Sequence, residues 1–188
     1  MPNYRRYFVQ GGSFFFTLVT ANRMPIFREE PACRLLGSCL RAEREKRSFR
    51  TEAIVLLPDH LHTIWSLPAG DASYSIRWAA IKASFTRLWL ESGGMEQEVT
   101  PGRRRELRRG VWQARFIEHT IRDEDDWENH VQYIHYNPVK HSMVSCPQEW
   151  PWSSFHRYAR QGWYPIDWGC AHHDPPKKLK AVREDLLE

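Results

Sequence analysis

Residues 57–64 read Leu-Pro-Asp-His-Leu-His-Thr-Ile, and this stretch indicates how the chain folds. Its Pro-Asp pair is typical of a tight turn, and the flanking residues are apolar and rich in β-branched types. We therefore predict two strands, 50–57 and 60–67, that pair as an antiparallel β-hairpin. A β-hairpin needs further strands or helices to bury its apolar side chains, so it predicts a larger antiparallel sheet.

Two histidines in the second of these strands suggest a metal site. Side chains alternate between the two faces of a strand, so His60 and His62 share one face while Leu61 takes the other. Their Cα atoms would lie about 6.6 Å apart, which lets both imidazoles bind one ion. Asp59 precedes the pair in the turn, where such a site would be open.

The rest of the chain alternates between strand-like and helix-like patterns. Apolar, β-forming runs predict further strands at 14–20 and 111–117. Apolar residues at helical spacing predict helices at 31–47 and 73–91, and a third helix follows the last strand. The order β-α-β-β-α-β-α predicts an α+β fold, an antiparallel sheet with helices packed on it, close to a ferredoxin-like arrangement.

The third helix carries a candidate nucleophile and a candidate third metal ligand. It begins after Asp123, whose side chain can cap it, and ends near Asn137 because Pro138 disfavours helical geometry in the preceding residue. Tyr133 and Asn137 are four residues apart and share a helix face, so both can reach the histidine pair if the helix crosses the sheet. Tyr136 is the rival nucleophile, although Tyr133 stacks better on Asn137 along the helix.

Two imidazoles and an amide oxygen suit Mg²⁺, Mn²⁺ or a similar divalent ion with open positions. Such an ion polarises a phosphodiester, which a tyrosine can attack to form a phosphotyrosine intermediate. A free tyrosine has a pKa near 10, so it needs the ion or a base to ionise. Two other classes fit the pattern: a non-catalytic binding module for single-stranded nucleic acid, and a metal-dependent phosphodiester hydrolase that uses water.

Composition places the chain among globular proteins. Its 188 residues suit one domain with a core, and a net charge of +4 with a pI near 9.0 is only mildly basic. No apolar run approaches the ~20 residues of a membrane span, and the N-terminus lacks a signal-peptide pattern, so we expect a cytoplasmic protein without a membrane partner. We divide the chain into a domain at 1–145 and a Trp- and Pro-rich extension at 146–188 that packs on it, with 175–188 as a mobile tail or a short helix.

Several other side chains are expected to have structural or solvated positions. No C-x-x-C pair and no secretion signal occur, so we predict reduced thiols for all four cysteines: Cys33, Cys39, Cys146 and Cys170. The basic residues of the second helix are predicted to lie on a solvated face: Arg77, Lys82 and Arg87. We predict a solvated surface position for His130.

Together these features resemble the single-tyrosine HUH transposases of bacterial insertion sequences, and within them the REP-associated tyrosine transposases. The resemblance spans roughly residues 4–169. It is carried by these segments: LPDHLH (57–62), YIHYNPVK (133–140), RRY (5–7), GG (11–12), FFFT (14–17), GVWQ (110–113), RF (115–116), EH (118–119), IRD (121–123), WPWSSFHR (150–157) and YPIDW (164–168).

The resemblance implies a ferredoxin-like HUH endonuclease domain that binds single-stranded DNA with imperfect palindromes, here repeated extragenic palindromes (REP). It implies cleavage near the DNA hairpin, with tyrosine joined to the 5′ phosphate and a 3′ hydroxyl released, so that rejoining needs no ATP. Carried over by position, His60 and His62 are metal ligands, Asn137 is the third ligand and Tyr133 is the nucleophile. Insertion-sequence relatives usually have Gln at the position of Asn137, which makes that ligand a departure from the pattern.

Basic residues are the expected contacts to DNA phosphates. They cluster before the first strand, in the polar loop at 93–110 and after the third helix: Arg5, Arg6, Arg103, Arg104, Arg105, Arg108, Arg109 and Lys140. The partner implied by the resemblance is a single-stranded DNA hairpin, which would place the protein at the bacterial nucleoid when bound. A monomer is favoured over the dimers formed by insertion-sequence relatives.

Overall fold

The computed structural model of the chain describes residues 11–105 and 109–171. Within them the strands are β1 (Ser13–Val19), β2 (Arg50–Leu56), β3 (His60–Ser66) and β4 (Ile117–Thr120). The α-helices are α1 (Glu30–Lys46), α2 (Tyr74–Glu91), α3 (Pro101–Arg105), α4 (Glu124–Lys140) and α5 (Phe155–Arg160). Short 3₁₀ turns lie at Ala21–Arg23, Ile26–Arg28 and Pro147–Glu149. No helix of the described residues is both long and apolar enough to span a bilayer.

The four strands form one antiparallel sheet in the order β2-β3-β1-β4. β2 and β3 pair across the Pro-Asp turn with Leu56 opposite Leu61, so the predicted β-hairpin is confirmed. β1 lies between β3 and β4 and places Thr17 opposite His62. The predicted α+β class with an antiparallel sheet is confirmed, and the strand that holds the histidines is central.

Alternation along the strands separates two apolar cores. On one face Phe14 and Phe16 of β1 join a core that includes Trp78 of α2 and residues of α1. On the other face Phe15 and the partner-strand residue Ile64 pack against α4 and the C-terminal segment. Helix α4 therefore covers the sheet face from which the two histidines project.

The prediction of a strand at 111–117 is wrong, because β4 starts only at Ile117. Val111 and Trp112 are buried in the core beside α1 and α2. Apart from one bridge between Trp112 and Thr20, they do not join the sheet. A short apolar run signals burial, and burial alone does not distinguish a strand from a packed loop.

Helix α4 continues past its predicted end near Asn137 and includes Pro138. A proline this close to the helix end removes one hydrogen bond, to the carbonyl of Ile134. Asn137 and Val139 are buried on either side of it, and this packing keeps the last turn helical against the local preference. The additional helical residues include Lys140, whose ammonium lies 5.1 Å from the Tyr133 ring centroid.

Arg77 is buried, so the prediction that it lies on a solvated helix face is wrong. Its guanidinium donates to the backbone carbonyls of Arg47 and Ser48 and forms an ion pair with Asp71. These bonds join the start of α2 to the end of α1. The helical pattern placed Arg77 beside the apolar stripe but gave no sign of these distant partners.

Cys146 and Cys170 form a disulfide, so the prediction of reduced thiols is wrong for this pair. Cys33 and Cys39 are free and buried. The two bonded cysteines lie 24 residues apart in a stretch without a recognised cysteine motif. Only the folded path of the chain brings them together.

Residues 146–171 lie against the edge strand β2. The Ser154 amide donates to the carbonyl of Ile54 at 2.8 Å, and the Trp150 indole donates to the carbonyl of Leu56 at 2.9 Å. Helix α5 forms within this segment. The predicted tail at 175–188 lies outside the described residues, and the division into 1–145 and 146–188 stays a prediction.

Candidate active site

His60 and His62 lie side by side on β3 with their ring centroids 5.0 Å apart. Each ring is held through Nδ1. His60 Nδ1 donates to the Asp59 carboxylate at 2.5 Å, and His62 Nδ1 lies 2.8 Å from the Thr17 hydroxyl on β1. The contact at Nδ1 sets the orientation of each ring. The other ring nitrogen, Nε2, is then the atom that can bind a metal.

Within the described residues, His62 Nε2 and both polar side-chain atoms of Asn137, one helical turn after Tyr133, are buried without a hydrogen-bond partner. Burying unpaired polar atoms is costly, so these three atoms are candidates to bind a ligand. Burial, with His60 beside it, also lowers the pKa of His62 well below its usual value, which keeps the ring in the neutral form that binds metals. Two imidazole nitrogens and an amide oxygen fit a divalent ion with open positions.

Tyr133 is buried against the histidines, and its ring centroid lies 5.2 Å from that of His62 at an angle of 70°. The ammonium of Lys140 lies 5.1 Å from the Tyr133 ring centroid. Tyr136 points elsewhere on the helix and packs against Trp168. Of the two candidate nucleophiles, the structure brings Tyr133 to the imidazoles.

Two further ionisable groups border the imidazole pair. His141 follows α4 with its ring centroid 5.6 Å from that of His60, and Arg23 lies 3.3 Å from the Asp59 carboxylate. Burial raises the pKa of Asp59, but hydrogen bonds with His60 and Arg23 outweigh it and leave the pKa below its usual value. Asp59 is therefore a carboxylate, and its hydrogen bond fixes the orientation of the His60 ring.

Sequence reasoning gave no role at the site to Thr17 and Arg23. Both lie far from the histidines along the chain, and neither belongs to a motif with a known chemical role. Strand pairing places Thr17 opposite His62, and the turn after β1 places Arg23 beside Asp59. Both could have been identified from the pairing of β1 with β3, if the register of the two strands had been known.

A second group of side chains that could hold a metal lies further along the same sheet face. Its members, His119, Asp126 and His130, offer ligand atoms within 4.8 Å of one another. His130 is buried, so the prediction of a surface position is wrong. The Asp126 carboxylate already accepts a hydrogen bond from His119 at 2.8 Å and from Arg122 at 3.1 Å, so a cation bound here would compete with a guanidinium.

The predicted phosphate contacts have different environments. The side chains of Arg104 and Arg105 are exposed at the end of α3. Arg109 makes two hydrogen bonds to the carboxylate of Glu96, at 2.7 and 2.6 Å, so it would have to exchange this partner to bind a phosphate. Three of the predicted contacts lie outside the described residues: Arg5, Arg6 and Arg108. The side chain of Arg103 is also not described.

Two curated proteins are similar to the chain over nearly its whole length. It is 41% identical over 181 residues to a Haemophilus influenzae protein named as a REP-associated tyrosine transposase, covering 96% of this chain and 99% of the relative. It is 40% identical over 168 residues to the REP-associated tyrosine transposase of Escherichia coli, covering 89% and 91%. No family model matches the chain.

A solved structure has a similar fold. It is a REP-associated tyrosine transposase bound to a REP hairpin, with a TM-score of 0.76 and 38% sequence identity. The similarity covers 93% of this chain and 94% of that one.

Proposed function

The chain belongs to the REP-associated tyrosine transposase family, and on that premise we propose that it cleaves and rejoins single-stranded DNA beside palindromic hairpins. The reaction would form a 5′-phosphotyrosine on Tyr133 and require a divalent metal. The observation that carries the proposal is the packing of the Tyr133 ring against His62, whose imidazole lies beside that of His60, with the buried Asn137 one turn further along α4. A solved relative bound to a REP hairpin supports this class of DNA as the substrate.

The metal would be held by Nε2 of His60, Nε2 of His62 and the amide oxygen of Asn137. Mg²⁺ or Mn²⁺ is the proposed ion, because nitrogen and neutral oxygen ligands with open positions suit small divalent cations. When bound, the ion supplies electrophilic activation of the phosphodiester. The shorter Asn in place of the Gln of many relatives requires α4 to lie close to β3, and the burial of Asn137 is consistent with that.

Tyr133 supplies the nucleophile. Its phenolic oxygen bonds to phosphorus while the bond from phosphorus to the 3′ oxygen breaks, and overall the phenol proton passes to the released 3′ hydroxyl. The Lys140 ammonium near the Tyr133 ring stabilises negative charge that develops on the phenol as it attacks. The ester is conserved in the intermediate, so a 3′ hydroxyl can reverse the reaction.

Basic residues outside the site would position the DNA. We propose that Arg104, Arg105 and Arg109 bind phosphates of the hairpin, together with the other arginines of that segment. Phosphate contacts of this kind release counterions, so hairpin affinity should decrease steeply as the salt concentration is raised.

A denaturing gel with a labelled REP-type hairpin and Mn²⁺ tests the chemistry. We expect a covalent protein–DNA adduct with the wild-type chain and with Tyr136→Phe, and none with Tyr133→Phe. Tyr136→Phe is the matched control, because it removes a hydroxyl from the same helix. Cutting that persists in Tyr133→Phe would instead support a hydrolase that uses water, and binding without cutting by the wild-type chain would support a binding module.

The position of the metal can be tested in the same assay. We expect His60→Ala to abolish the adduct and largely retain hairpin affinity, because the metal ligands and the phosphate contacts are separate groups. His119→Ala, which alters the second histidine group, should leave the metal requirement unchanged. If His119→Ala formed no adduct and His60→Ala formed a normal one, the metal would be assigned to the second group instead.

A further inference from the structure

Two cationic side chains lie near the imidazole pair. The ammonium of Lys140 lies 5.1 Å from the ring centroid of Tyr133. Arg23 Nη1 lies 3.3 Å from the Asp59 carboxylate, which holds His60. A phosphodiester that reaches the imidazoles would therefore meet two positive charges.

The backbone conformation of the turn after β1 positions Arg23 beside Asp59. Asn22 and Arg23 both have left-handed conformations, with φ of 51° and 52°, which non-glycine residues rarely adopt. Thr20 fixes the turn by donating its amide to the carbonyl of Asp59 at 2.8 Å. Its hydroxyl lies 2.7 Å from the carbonyl of Met24 and 2.9 Å from that of Asp59, so its single proton is shared between the two.

The ion pair with Asp59 does not account for this strained turn. Arg23 is about half exposed, at 47% of its side chain, and ion pairs with an exposed partner contribute little to stability. Asp59 is already engaged by His60 at the shorter distance of 2.5 Å. Residues in such rarely adopted backbone conformations are frequent at functional sites.

We propose that Arg23 is a catalytic residue that binds a non-bridging oxygen of the scissile phosphodiester. This inference rests on the proposed function and assigns the site a residue that the family resemblance did not supply. Arg23 lies 3.3 Å from the Asp59 carboxylate, and that carboxylate holds His60, so a phosphate bound at the imidazoles would lie within reach of the guanidinium.

The chemistry balances without any further reactant. The bond from the Tyr133 oxygen to phosphorus forms, the bond from phosphorus to the 3′ oxygen breaks, and that oxygen ends with the proton lost by the phenol. Arg23 stays protonated throughout and donates hydrogen bonds to the phosphoryl oxygens as negative charge moves to the leaving side. Its planar fork suits this task better than the point charge of a lysine.

Cleavage rates at saturating hairpin and Mn²⁺ give the first test. We expect Arg23→Gln to lower the single-turnover rate about 100-fold, as the loss of one preorganised donor does in other enzymes, and Arg23→Lys to recover part of it. Arg34→Gln is the charge-matched control, because Arg34 is exposed on α1 and pairs there with Glu30. An unchanged rate in Arg23→Gln would overturn the proposal.

Binding by the non-cleaving Tyr133→Phe chain gives a second test that does not depend on cleavage. The probes are a bare DNA hairpin and the same hairpin with single-stranded flanks. In this chain, we expect the further substitution Arg23→Gln to weaken binding of the flanked probe about 10-fold, because one charged hydrogen bond is lost. The affinity for the bare hairpin should not change. Equal affinities for the flanked probe with and without Arg23→Gln would refute a phosphate contact.

The two tests separate this inference from the proposed function. If the wild-type chain forms no adduct but Arg23→Gln still weakens flank binding, the strand-transfer chemistry fails and the phosphate contact stands. If Arg23→Gln instead lowers the affinity for Mn²⁺ and saturating Mn²⁺ restores both rate and flank binding, Arg23 acts only through Asp59 and the proposal is wrong.

Discussion

At the scale of single residues, the site depends on which ring nitrogen each histidine presents. His60 and His62 both use Nδ1 for a hydrogen bond within the fold, to Asp59 and Thr17. The two partners differ in charge: Asp59 is a carboxylate, whereas Thr17 is a neutral hydroxyl. Under the proposed metal site, Asp59 is therefore the residue through which metal affinity can be changed without altering a ligand.

We expect Asp59→Asn to raise the Mn²⁺ concentration for half-maximal cleavage by about 10- to 100-fold, because the carboxylate partner of a ligating histidine is lost. The rate at saturating Mn²⁺ should recover. A titration of adduct formation against Mn²⁺ measures the effect, with Asp71→Asn as a control in which the same change is made beside Arg77. The same half-maximal concentration in both variants would contradict the assigned role of Asp59.

At the scale of elements, α4 carries the polar residues of the site along the face that meets the sheet. Its first turn is fixed by Asp126, which accepts hydrogen bonds from the side chains of His119 and Arg122. Burial alone raises the pKa of Asp126, but these bonds outweigh it and lower the pKa to about 2. The carboxylate thus ties the start of the helix to β4, while Tyr133 and Asn137 lie on the later turns.

We expect Asp126→Asn to lower the free energy of unfolding by about 2 kcal/mol at neutral pH, the value that corresponds to the shift in its pKa. Because the folded pKa lies below the unfolded one, this stability is present above about pH 4 and is lost as the pH falls toward 2. Urea unfolding at neutral pH and near pH 3 measures it. Glu124→Gln, an exposed change in the same turn, should have little effect. If the difference in free energy of unfolding between wild type and Asp126→Asn were the same at both pH values, the argument would be contradicted.

At the scale of the whole molecule, the C-terminal segment holds α4 to the edge of the sheet. His135 on α4 bonds to the Ser154 hydroxyl at 2.8 Å, and Ser154 also bonds to the backbone of β2. The disulfide between Cys146 and Cys170 closes the loop that contains these contacts. Helix α4 is therefore packed between the sheet and a covalently closed segment.

We expect a reductant to lower the free energy of unfolding by about 3 kcal/mol, since a crosslink over a loop of this length restricts the unfolded chain by that amount. Denaturant unfolding with and without dithiothreitol measures the change. The double variant Cys146→Ser with Cys170→Ser should be insensitive to the reductant, and Cys39→Ala should respond like the wild type. A wild-type chain whose stability is the same in both conditions would show that the crosslink does not constrain it.

Local patterns determined much of this protein. Turn chemistry and alternation at 57–64 predicted the β-hairpin and the shared face of His60 and His62, and helical spacing predicted that Tyr133 and Asn137 face the same way. These inferences succeeded because turns, strands and helices have fixed short periods that neighbouring residues reveal. The family resemblance added the identity of the chemistry.

Tertiary structure decided what depends on residues far apart in the chain. Strand register brought Thr17 to His62, and the turn after β1 brought Arg23 to Asp59. Packing buried Val111 and Trp112 in a loop instead of a strand and kept α4 helical through Pro138. It also joined Cys146 to Cys170. No repeating pattern of neighbouring residues predicts these contacts. They form only when the whole chain folds, because burial and chain topology select them together.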